Sequence, residues 1–216
     1  MSKKILTIDG ITFPKFSKGS SKRNFRLIFY IAYKDGDGKN KTVIVTKPAG
    51  GAWQWKKSDK DFFLPEGIDL GDSVELDVSP LRFDANGFSA NDFQIAEIDG
   101  KVSTIAVQFI DVHDASIIDF FKDKILPQVI EELKKVGFNP IDLLPVPGVI
   151  TGIIKSKVKI EDLTKKVEDF LVKTGKDKLL HSVSGKYKKG DSFTISGEKE
   201  WEEGKTGTYA VKIGLE

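Results

Sequence analysis

Polar and apolar positions alternate along most of the first 110 residues. In KILTIDGITF (4–13), Ile5, Thr7 and Asp9 fall on one face, and Leu6 and Ile8 on the other. FRLIFYIAY (25–33) is aromatic and β-branched, with nothing to break a strand, and TVIVTK (42–47) follows it after KDGDGKNK. Two β-type runs around Asp-Gly-Asp-Gly predict a hairpin. Trp53 and Trp55 recur at period two, and GDSVELDV (71–78) sets Val74, Leu76 and Val78 against Ser73, Glu75 and Asp77. That is the period of a half-buried strand. DFQIAEI and VSTIAVQFIDV supply two more strands.

Near Asp114 the period changes. Ile117, Phe120, Phe121, Ile125, Val129, Leu133 and Val136 fall at helical spacing, with Ser116 as a cap, Pro127 as a break and Gly137 as a stop. FNPIDLLPVPGVITGIIKSK (138–157) predicts a loop and then a short helix opening at Pro147. KIEDLTKKVEDFLVKTGK (159–176) carries the clearest apolar stripe, Ile160, Leu163, Val167, Phe170 and Leu171, ended by Gly175. Strand patterns return at 190–197 and 207–216, where Tyr209, Val211, Ile213 and Leu215 alternate. Strands on both sides of a helical block argue for one domain. The predicted class is mainly β with an α insertion. It is an antiparallel β-sandwich of about eight strands, built from 1–113 and 186–216, with a helical insertion over 114–185.

Composition narrows the function classes. The chain has 216 residues, 39% hydrophobic and 31% charged, which suits a globular domain with its own core. Its 34 basic and 32 acidic residues leave a net charge of +2, so no nucleic-acid partner is expected from bulk charge. Cysteine is absent, which removes disulfides, thiolate metal sites and a cysteine nucleophile. MSKKILTIDG has no apolar signal core, and no run approaches the ~18 apolar residues of a membrane span. A cytoplasmic or peripheral membrane location is expected.

Candidate chemistry is sparse. Asp84, Asn86 and Asp92 in RFDANGFSANDF (82–93) offer oxygen ligands in a loop, and calcium gathers six to eight such oxygens at about 2.3–2.6 Å. Calcium is the one cofactor the sequence suggests. The same residue types also make ordinary polar turns. Lys39, Lys41, Lys47, Lys56 and Lys57 are interleaved with Trp53 and Trp55, a combination suited to an anionic membrane surface. Asp111, His113, Asp114 and Asp119 read as a strand end and a helix cap. No nucleophile elbow, phosphate loop or zinc-protease motif occurs, and a non-enzymatic protein is expected.

VELDVSPLRFDANGFSANDFQIAE (74–97) resembles the third top loop of the calcium- and phospholipid-binding C-two sandwich domain of synaptotagmin and protein kinase C. The pattern is a strand, then Asp-x-Asp, a further Asp, an apolar residue and a return strand; here it reads Asp84-Ala85-Asn86 and Asp92-Phe93. The closing W…GTYAVKIGL is similar to the family's last strand, and the likeness spans roughly 4–112 and 190–216. It implies a sandwich that uses loops at one end, with calcium held by Asp84, Asn86 and Asp92. Two positions depart from the pattern. Asn86 stands where the family has Asp, and the first loop, GITFPKFSKGSSKRNF, has no carboxylate but carries Lys15, Lys18, Lys22 and Arg23. A cationic loop repels calcium and suits anionic lipid or a protein carboxylate. The leading expectation is thus a binding module for an anionic membrane surface or a protein partner. A self-assembling sandwich and a pore-forming protein using 141–158 are the alternatives.

Overall fold

The computed structural model describes residues 4–13, 22–47, 53–56, 74–77, 94–111, 154–155, 159–175, 177–188, 190, 192–202 and 204–215. Its elements are β1 (Lys4–Phe13), β2 (Lys22–Asp35), β3 (Asn40–Lys47), β4 (Trp53–Lys56), β5 (Val74–Asp77) and β6 (Gln94–Ile98). Then come β7 (Gly100–Asp111), β8 (Ile154–Lys155), α1 (Ile160–Thr174), β9 (Lys178–Lys186), β10 (Ser192–Glu202) and β11 (Lys205–Leu215).

These strands form two antiparallel sheets, as the alternation predicts. One runs β10-β11-β1-β5, with β6 also on β1; the other runs β8-β3-β2-β7-β9, with β4 also on β2. Between the sheets lies an apolar core. It takes Leu6, Ile8 and Ile11 from β1, Phe25, Leu27, Phe29 and Ile31 from β2, Val107 and Phe109 from β7, and Val211 and Ile213 from β11. The sets recur at period two, because successive strand side chains point to opposite faces; in β1 the step from Ile8 to Ile11 is three, where a register shift between Ile8 and Gly10 inserts a residue.

Both sheets contain an interrupted strand. β11 occupies one side of β1, so β5 (opposite Phe13–Gly10) and β6 (opposite Thr7–Lys4) follow each other along its other side. β5 therefore ends, and β6 begins, midway along β1. In the same way β7 fills one side of β2, while β3 pairs with Leu27–Lys34 and β4 with Lys22–Phe25 on the other. Arg26 falls at the break, between the Leu27–Lys47 and Phe25–Trp53 pairs. Eleven strands are described where about eight were expected; β8 and β9 are the two with no strand pattern in the sequence reading.

Helix α1 makes a third layer on the outer face of the second sheet. Ile160, Leu163, Val167 and Leu171 are buried, and beneath them lies a second buried set, Ile28, Ile44, Ala106 and Ile110, outside the inter-sheet core. Glu161 and Asp162 in the first turn and Lys173 in the last complement the helix dipole. Gly175 closes the helix at φ 62°, its N–H donating to the Leu171 carbonyl at 2.9 Å.

One boundary of the predicted insertion is corrected. Residues 178–185 were expected in the helical block, yet they belong to β9 (Lys178–Lys186), paired along β7 from Asp111 to Thr104. A register shift between Phe109 and Ile110 breaks the alternation of KLLHSVSGK, and Lys, His, Ser and Gly dilute its apolar pattern. The helices predicted within 114–153 lie outside the described residues.

Candidate binding surface

Of the residues expected to bind a surface, one group is brought together by strand pairing. The β2–β4 register sets Lys22 opposite Lys56, Arg23 opposite Trp55 and Phe25 opposite Trp53. Two basic and aromatic segments some thirty residues apart in sequence thus meet at one end of the sandwich. Lys178, exposed at the start of β9, lies at this end too, since Asp111 pairs with both Phe25 and Lys178. Lys15, Lys18 and Lys57, and with them Asp84, Asn86 and Asp92, lie outside the described residues.

Lys39 and Lys41 belong to the opposite end. Lys41 pairs with Tyr33, eleven positions along β2 from Lys22, or about 36 Å at the rise of a strand. They sit at the β2–β3 hairpin among carboxylates. Asp35 accepts from the backbone N–H groups of Asp37 (3.0 Å) and Lys39 (2.9 Å) and ion-pairs with Lys41 at 2.7 Å. Its bond to Lys41 holds the Asp35 carboxyl below its ordinary pKa and raises that of Lys41. Lys39 reaches Asp37 at 3.5 Å. Lys47, expected on the surface, is only 4% exposed. Its place in the alternating β3 pattern carries it inward with Val43 and Val45.

A polar belt beneath α1 was not foreseen. Tyr30 Oη donates to Gln108 Oε1 at 2.6 Å; Gln108 Nε2 donates to the Thr164 carbonyl (3.1 Å) and Ser182 Oγ (3.0 Å); Ser182 Oγ donates to Glu168 Oε1 (3.1 Å). Burial, and then the Glu168 charge, push the Tyr30 hydroxyl pKa well up. Every link crosses between elements, so the belt ties β2, β7 and β9 to the helix. On the other face of β9, the His181 ring packs tilted against Tyr209, with centroids 5.1 Å apart, and its pKa is lowered by burial and by Lys199. Lys199 Nζ donates to the Leu180 carbonyl at 2.7 Å.

An open cavity of about 280 Å³ lies where the hairpin end of β2–β3 and strand β7 meet the start of α1. Tyr33, Lys41, Thr42, Thr104, Lys159 and Glu161 are among its walls. Its cations are offset by Glu161 and by Asp35 on Lys41, so no single charge dominates. Among the described residues no cluster of His, Cys, Asp and Glu could hold a metal ion, and no helix is long and apolar enough to cross a membrane. No family model, curated protein or solved structure matches the chain.

Proposed function

We propose that this protein is a non-enzymatic binding module that engages an anionic membrane surface through the sandwich end bearing Lys22, Arg23, Trp53, Trp55 and Lys56. The reading rests on the β2–β4 register, which gathers these residues from separate segments. Lys15 and Lys18 lie in the connector leading into β2, and Lys57 follows β4 directly, so further cations belong to the same stretch of chain. Each lysine near anionic headgroups contributes about 1 kcal/mol, and indole rings favour the interface. The C-two resemblance supports the same use of a sandwich, with calcium at Asp84, Asn86 and Asp92 as a modulator. Co-sedimentation with phosphatidylcholine vesicles, with and without phosphatidylserine, tests the reading. Binding should require phosphatidylserine and weaken with added salt. Failure to bind serine-containing vesicles, both with calcium and with chelator, rejects it. A calcium-dependent rise in binding would support the modulatory loop.

A further inference from the structure

Arg26 is the largest fully buried side chain described, 0% exposed, on the helix-facing side of β2. Among the described residues its Nε and Nη1 have no hydrogen-bond acceptor. The hydroxyl of Thr46, also buried at 1% exposure, is likewise without a partner there. The two are close. Thr46 pairs with Ile28 on β3, so Arg26 and Thr46 share a face one diagonal step apart, a spacing of about 7–8 Å. Burial pulls the Arg26 pKa down to about 10, and attraction to Asp177 partly restores it. The guanidinium stays charged at neutral pH, and buried donors left unmade are costly.

We propose that Arg26 and Thr46 form a buried site for a small oxyanion, a carboxylate or phosphoryl group. An oxyanion supplies the acceptor oxygens that Arg26 Nε and Nη1 lack, and its short charge-assisted bonds are the natural match for a guanidinium. Thr46 adds a neutral hydroxyl donor on the adjacent strand. Asp177 acts on Arg26 through space and limits affinity for any anion. The site therefore discriminates by hydrogen-bond geometry rather than by net charge. Arg26 pairs with Ile110 on β7, while on the β3–β4 side no described residue pairs with it.

The full chain, titrated with sodium phosphate or sodium acetate at ionic strength fixed with chloride, tests this. The Arg26 Nε–H resonance and the melting temperature are followed together. One anion or both should shift that resonance saturably and raise the melting temperature by a few degrees. A response to phosphate alone assigns a phosphoryl ligand, and one to acetate alone a carboxylate. Thr46→Val keeps the shape of the site and should weaken binding by about tenfold, and Arg26→Gln should abolish it. No response to either anion overturns the proposal. So does an undiminished melting-temperature rise in Thr46→Val or Arg26→Gln.

Discussion

At the scale of the residue, two positions read the inter-sheet packing. Gly197 on β10 lies so close to β9 that a Cβ there would come within 2.8 Å of Val183 Cγ1 and 2.9 Å of His181 Nε2. Gly197→Ala should therefore cost about 1–3 kcal/mol in chemical denaturation. His181 reports on the same seam through pH. Its folded pKa lies below the unfolded value of about 6.5, so below that pH the unfolded chain takes up the proton first. Its contribution is thus intact above the unfolded pKa and declines as the pH falls toward the folded one. A stability–pH profile should show this decline between those two values, and His181→Gln should flatten it. Arg26 was visible in the sequence only as one charge within FRLIFYIAY, a pattern that cannot tell a solvated arginine from a buried one.

At the scale of the element, legibility followed the strength of local periodicity. Helix α1 was predicted over 159–176 and spans Ile160–Thr174. Four of its five predicted stripe residues are buried, because a 3.6-residue period over four turns is a signal no other structure gives. The β2–β3 hairpin was equally plain, since Asp35 and the glycines write the turn into the sequence. β9 escaped because a register shift and a polar composition hid its alternation. The end of α1 carries its own prediction. Gly175 has left-handed φ and seals the last turn, so Gly175→Ala should destabilise the protein by about 1 kcal/mol. Amide exchange should increase first in the last turn of the helix, around Leu171, and not in β2 or β7.

At the scale of the whole molecule, the sandwich was legible and the grouping of its charges was not. Alternation says that a strand has two faces; it does not say which strand continues which. That β4 extends β3 along β2, and β6 extends β5 along β1, is a matter of long-range register. In sequence, Lys39, Lys41, Lys47, Trp53, Trp55 and Lys56 look like one patch. In the fold they separate into a hairpin end neutralised by Asp35 and Asp37, a buried lysine, and an end where β4 meets the start of β2. The expected calcium ligands, Asp84, Asn86 and Asp92, all fall in the sequence between β5 and β6.

The most direct measurement of the proposed function compares the two ends of the molecule. Vesicle affinity is measured for Lys22→Glu with Lys56→Glu, and for Lys34→Glu with Lys39→Glu, both exposed near the hairpin. On phosphatidylserine-containing vesicles the first pair should lose affinity by roughly tenfold or more, at about 1 kcal/mol per lysine removed. The second pair should bind nearly as the unaltered protein does. Equal losses from the two pairs, or a larger loss from the hairpin pair, would contradict the assignment of the binding end.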